Sequence, residues 1–204
     1  MILDLKDIVR KYGLELNGAI HVGAHFGEEY KTYKELGLGK IIFFEPVKKT
    51  YDKLVSNVGS DAICHNCALG NMDGEIEINV EVLDRWGCSS ILEPSSNYPT
   101  GIFGAKEMAK IQKLDNFNYN DINFMNVDVQ GYELEVFKGS EKTLETVDYI
   151  MAEVNRRTSQ KILYYKGASV IEDVSDYLSK FGFKLFDVNW AGISWGDGFF
   201  MKVK

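Results

Sequence analysis

The stretch AIHVGAHFGEEY, residues 19–30, constrains this chain more than any other. An apolar run (Ala19, Ile20, Val22) stops at Gly23, passes through His25 to Gly27, and gives way to a charged segment with helical spacing. A strand, glycine turn and helix start of this kind let a ligand approach the main chain closely, because glycine has no Cβ. Roughly twenty residues on, KIIFF reads as a second apolar strand ending at Glu45, where an acid can accept hydrogen bonds from a ribose. The spacing predicts a nucleoside-bearing cofactor.

Charge narrows the choice of cofactor. A dinucleotide rests its pyrophosphate on a helix N-terminus, where amides and dipole favour an anion. Here Glu28 and Glu29 are expected in the first helical turn and would repel it. The GxHxG spacing is also shorter than the dinucleotide GxGxxG. S-adenosylmethionine, with a sulfonium, an ammonium group and no phosphate, suits the acidic turn better than a nicotinamide dinucleotide.

The 204 residues suffice for one α/β domain, expected to span the whole chain. A net charge of −7 argues against a nucleic-acid or anionic-membrane surface, which would need clustered Lys and Arg. No apolar run approaches the roughly 20 residues of a membrane span, and the N-terminal MILDLKDIVRKY reads as an amphipathic helix rather than a signal peptide. A cytoplasmic protein is therefore expected. Cys64, Cys67 and Cys88 are an odd set with no second CxxC, so reduced core thiols are expected instead of a disulfide or zinc framework.

Along the chain, strand-like and helix-like segments alternate, which implies a mostly parallel sheet with helices on both faces. Residues 3–13 read as a packing helix stopped by Gly13 and residues 40–45 as strand two; Pro46 then starts a helix with Tyr51, Leu54 and Val58 inward. AICHN reads as strand three, and EIEINVEV alternates like a strand exposed on one face. Residues 84–113 hold two of the three prolines, three glycines and four serines, and read as one long loop, a candidate for substrate recognition. A strand follows up to Asp128, then a Gln130–Gly131 turn, one helix over 132–144 with Leu134, Phe137 and Leu144 inward, and a strand up to Glu153. An amphipathic helix precedes FKLFDVNW and GDGFFMKV, whose short connection forces an antiparallel pair.

GAHFGEE, FFEP, NCALGNMDGEI, CSSIL, LDNF, VDVQGYELEVFKG and MAEVN, in that order, resemble the FkbM-type methyltransferases over residues 19 to 155. The resemblance implies a Rossmann-like class I methyltransferase fold, seven strands with a terminal antiparallel hairpin. It also implies methyl transfer from S-adenosylmethionine to a hydroxyl oxygen of a small acceptor such as a sugar, glycan or polyketide. His21 and His25 depart from the family pattern, standing where it has an acid and an Asn.

The expected cofactor contacts are therefore His21, Gly23, His25, Gly27, Glu45, Asn66, Ala68 and Asp128. Ser89, Ser90 and Gln130 are candidate substrate contacts, and Trp86, Trp190 and Trp195 are mainly packing residues, the last two candidates for a pocket wall. Asp128, Glu133 and Glu153 are the candidate catalytic acids, because a carboxylate raised in pKa by a like charge can accept a hydroxyl proton. Two alternatives concern this cluster: with Asn155 it could hold a divalent cation, which is not favoured, or Glu153 could pair with Arg156 or Arg157 in a structural role. Two other functions compete: a nicotinamide oxidoreductase and a non-catalytic cofactor-binding scaffold.

Overall fold

The computed structural model describes residues 2–83, 87–99, 101–157 and 163–203. Its main sheet is built from β1 (Gly18–Val22), β2 (Lys40–Phe44), β3 (Ile63–His65), β7 (Phe124–Val127), β8 (Tyr149–Asn155), β9 (Phe183–Trp190) and β10 (Trp195–Lys202). The spatial order is β3-β2-β1-β7-β8-β10-β9, with β10 antiparallel to both neighbours and the other pairings parallel. This is the expected seven-stranded sheet with a terminal hairpin. Strand order reverses between β1 and β7, so the carboxyl ends of these strands open onto a crevice where ligands bind in such folds.

The period-two alternation of the central strands explains the layers. Ile20, Val22, Ile42, Phe44, Met125 and Val127 face one apolar core. On that face pack α4 (Glu133–Lys138), α5 (Glu141–Thr146) and α6 (Ile171–Ser179), contributing Val136, Phe137, Leu144, Val174 and Leu178. Ala19, Ile41, Phe43 and Phe124 face the other way, onto α1 (Leu5–Tyr12), α2 (Tyr30–Glu35) and α3 (Lys48–Val58). Asp4 starts α1 by accepting hydrogen bonds from the Lys6 and Asp7 amides, which are otherwise unpaired at a helix start. Among the described residues no helix is long and apolar enough to cross a membrane.

Three local expectations are corrected. Residues 84–113 are not one loop: β6 (Phe103–Gln112) fills the second half. It pairs antiparallel with β5 (Gly74–Glu81) and parallel with β4 (Ala68–Leu69), making a separate three-stranded sheet. FGAKEMAKIQ is rich in helix formers and only Ala109 and Ile111 are buried in it, so pairing with β5 decides its conformation rather than intrinsic preference.

The expected 132–144 helix is two short helices broken at Gly139 and Ser140. The main chain there runs against that of Gly70; a Cβ on Gly139 would lie 1.9 Å from the Gly70 carbonyl oxygen. Of its expected inward residues Phe137 and Leu144 are buried and Leu134, partly buried, packs against the same core, which Val136 also joins. Finally, α2 begins at Tyr30, so Glu28 and Glu29 stand in the turn before the helix rather than in its first turn.

Candidate active site

At the crevice, the ends of β1, β2 and β7 are drawn together by Gly23. Its amide donates to the Phe44 carbonyl at 3.0 Å, and the Asp128 amide donates to Val22 at 2.9 Å. With φ at 78° and an added Cβ only 1.9 Å from the Asp128 carbonyl oxygen, the position takes no side chain. Two clefts open on either side of Asp128, which lines both.

The first cleft has an empty volume of about 590 Å³ and is lined by Gly23, His25, Glu45, Ala68, Ser90 and Asp128 among others. Glu45 is 6% exposed. Its Oε2 accepts from the His25 amide at 3.0 Å and its Oε1 from the Val47 amide at 2.9 Å, which fixes the carboxyl at the strand end. Burial pushes its pKa up to about 7, against the opposing effect of those two amides. His25 takes a left-handed backbone, φ 47°, and its Nδ1 lies 2.7 Å from Glu28 Oε1. Burial lowers its pKa, but the Glu28 carboxylate outweighs burial and the net shift is upward.

The second cleft, about 1000 Å³, is lined by Tyr98, Gln130, Glu153, Asn155, Tyr165 and Trp195 together with Asp128 and others. Gln130, with φ at 57°, is the central link. Its Nε2 donates to Asp128 Oδ1 at 2.7 Å and to Glu153 Oε2 at 2.8 Å, so one amide holds both carboxylates. Burial, then the charges of Asp128 and Glu133, raise the Glu153 pKa well above the ordinary carboxylate range. The Tyr98 hydroxyl donates to that of Tyr165 at 2.8 Å, and Tyr165 donates to the Cys88 carbonyl.

Several sequence-predicted residues stand elsewhere. His21 is 2% exposed and points to the α2 face, its Nδ1 3.1 Å from the Tyr33 hydroxyl, so it lines neither cleft. Gly27 lies under α3 against Leu54, and Asn66 turns its amide onto the Glu45 and Pro46 carbonyls. Glu133 is fully buried with Oε1 accepting from the Val129 and Gly131 amides, at 3.2 and 2.9 Å; it braces the turn that carries Gln130 instead of facing a cleft. Burial lifts its pKa to about 7. Ser89 and Ser90 line the Glu45 cleft, whereas Gln130, the third candidate substrate contact, lines the Glu153 cleft.

Arg156 donates to the Ile193 and Gly192 carbonyls and lies over Trp190, and Arg157 reaches Asp173 at 4.0 Å; Glu153 is instead bonded to Gln130. Trp195 lines the Glu153 cleft, whereas Trp86 is outside the described residues. Cys64, Cys67 and Cys88 are free thiols, and among the described residues no group of three or more His, Cys, Asp or Glu is arranged to hold a metal ion. Tyr98, Tyr164 and Tyr165, which also line the Glu153 cleft, carry no local signal in the sequence beyond the YY pair at 164–165, which no periodicity places.

Residues 21–185 match the family model described as the methyltransferase FkbM domain. The chain belongs to this family. A solved FkbM methyltransferase from Methylobacillus flagellatus KT superposes with a TM-score of 0.61 at 12% identity, covering 94% of this chain and 46% of that one. This FkbM domain thus spans about half the length of that relative. A candidate RNA methyltransferase from Pyrococcus horikoshii gives 0.57 at 12% identity, covering 98% and 82% of the two chains. The 1,6-didemethyltoxoflavin-N1-methyltransferase of Burkholderia thailandensis, solved with 1,6-didemethyltoxoflavin and S-adenosylhomocysteine, gives 0.50 at 12%, covering 98% and 76%. At these identities the likeness is one of fold, and the acceptors named differ in class. No curated protein matches the chain in sequence.

Proposed function

We propose that this FkbM domain is an S-adenosylmethionine-dependent O-methyltransferase acting on a small hydroxylated acceptor, glycan-like or polyketide-like. The observation that carries the reading is the shared wall: Asp128 lines both clefts, and Gln130 ties it to Glu153 in the second. A cofactor in the Glu45 cleft and an alcohol in the Glu153 cleft then meet beside two carboxylates. When bound, the cofactor supplies an electrophilic methyl on a sulfonium. Glu45 accepts the ribose hydroxyls through the lone pairs its two backbone amides leave free. Glu153 takes the acceptor's proton as the oxygen–carbon bond forms and the carbon–sulfur bond breaks, leaving a neutral thioether. Gln130 fixes the direction of Glu153, and most of the remaining rate gain is alignment of oxygen, methyl and sulfur.

Neither cleft has a Lys or Arg among its described lining residues. That supports a phosphate-free cofactor over a nicotinamide dinucleotide, and a neutral acceptor over a nucleic acid. Calorimetry tests the cofactor: S-adenosylhomocysteine should bind, and tighter binding of NAD would overturn the reading. For the chemistry, Glu153→Gln should cut turnover by roughly 10²–10⁴-fold while S-adenosylhomocysteine affinity stays within about threefold. Turnover that vanishes with a chelator and returns with magnesium would move the proton-accepting role to a metal-assisted mechanism.

A further inference from the structure

Beyond the two carboxylates, the second cleft contains a polar group that the folded chain leaves idle. Asn155 is 3% exposed and lines the cleft, and its Nδ2 has no hydrogen-bond partner among the described residues. A buried amide without a partner costs stability, so its presence there calls for a reason outside the fold. Its position supplies one. Glu153 and Asn155 are two apart on β8 and so share a face, about 6.6 Å apart along the strand, while Val154 between them turns into the apolar core. Asn155 pairs in register with Trp195 of β10, whose side chain lines the same cleft.

We propose that Asn155 is an acceptor-binding residue, its Nδ2 donating to a second oxygen next to the hydroxyl whose proton goes to Glu153. The acceptor class that fits is an alcohol with an adjacent oxygen function, a vicinal diol or hydroxy-ether, lying between Tyr98, Tyr164 and Trp195. A simple alcohol offers the amide no partner. The inference rests on the methyltransferase reading above, in which Glu153 faces the reacting oxygen.

The minimal probes are trans-1,2-cyclohexanediol and cyclohexanol, offered at high concentration with labelled S-adenosylmethionine. Wild-type protein should methylate the diol with a kcat/KM about tenfold above cyclohexanol, the scale of one hydrogen bond lost with its buried partner left unpaired. In Asn155→Leu, of similar volume, the preference should fall toward one, mainly through a higher KM for the diol. Its thermal midpoint should be no lower than wild type, because an unpaired polar group has been replaced by an apolar one. Asn155→Ala, which fits the same space without overpacking, should lose the preference in the same way. S-adenosylhomocysteine binding separates the two failures. A protein that does not bind it refutes the methyltransferase reading itself. A protein that binds it but treats both probes alike, transfer to neither included, or keeps its preference in Asn155→Leu and Asn155→Ala, refutes the role of Asn155.

Discussion

The Glu45 cleft and the Glu153 cleft share Asp128 but are assembled differently. On the first side, Gly23 follows β1 directly and Glu45 follows β2 directly, so two key positions inherit their geometry from adjacent parallel strands. On the second, Cys88, Tyr98, Tyr165 and Trp195 come from separate stretches, joined by long-range bonds such as Tyr98 to Tyr165 and Tyr165 to the Cys88 carbonyl. A strand-end site is as rigid as the sheet. A cleft whose strand-borne Glu153, Asn155 and Trp195 are walled by Cys88, Tyr98 and Tyr165 from outside the sheet can change its shape by changing those wall side chains while the Glu45 cleft stays as it is.

The largest test of that contrast is Gly23→Ala. The new Cβ meets a backbone carbonyl at 1.9 Å at a residue held at φ 78°, and neither the main chain of β7 nor that of β1 can yield cheaply. The variant should lose about 4 kcal/mol of stability by denaturant titration, the upper range for one substitution, and bind no S-adenosylhomocysteine. Near-normal binding would mean the strand ends are less rigid than the comparison holds.

Next is Glu45→Gln, which should weaken S-adenosylhomocysteine by about 1.5–3 kcal/mol in calorimetry, the value of hydrogen bonds to a charged group. The wild-type protein adds a pH signature. The folded pKa of Glu45, about 7, lies above its ordinary value of 4.5, so the folded state holds a proton the unfolded state has lost. Stability from this group is therefore present below about pH 4.5 and falls as pH rises toward 7, by up to about 3 kcal/mol. Cofactor affinity should run the opposite way, since ionised Glu45 is the better acceptor for ribose hydroxyls. It should strengthen between pH 6 and 8 in wild type and stay flat in Glu45→Gln.

The smallest effect is expected from Ser90→Ala. Ser90 lines the Glu45 cleft, yet its Oγ donates to the Gln130 carbonyl at 2.9 Å and accepts from the Leu92 amide at 3.0 Å, so it fastens one cleft to the other. Stability should drop by about 1–2 kcal/mol, with cofactor affinity changed less than threefold and acceptor KM raised more. A larger change in cofactor affinity than in acceptor KM would place Ser90 wholly on the cofactor side.

The same contrast explains what could be read from the residues. The strand–helix alternation, the hairpin and the strand-end positions of Gly23, His25, Glu45 and Asp128 are legible in periodicity and spacing, because each lies beside a strand that declares itself locally, whereas the seven-stranded order comes with the family resemblance. Gln130 and Glu153 were placed by their strand ends as well. His21 misled because alternation along β1 sends every second side chain to the α2 face, and nothing in the residue name says which face is which. Glu133 misled because a carboxyl after a turn can bond that turn's own amides. The strand β6 and the tyrosines of the second cleft depend on partners far along the chain, which no local pattern encodes.

The pair of carboxylates held by Gln130 has a consequence for charge across turnover. Burial and the charges of Asp128 and Glu133 raise Glu153 well above the usual carboxylate range, so the cleft favours a proton on Glu153. On the proposed reaction a sulfonium beside it opposes that shift and favours loss of the proton, a negative charge appearing together with the positive one. After transfer the thioether is neutral and the acceptor's proton is back on Glu153. The two charges thus appear and vanish together, and no step leaves either of them alone in the cleft. Calorimetry in buffers of different protonation enthalpy should read more proton release when S-adenosylmethionine binds than when S-adenosylhomocysteine binds, the release that both share coming from Glu45.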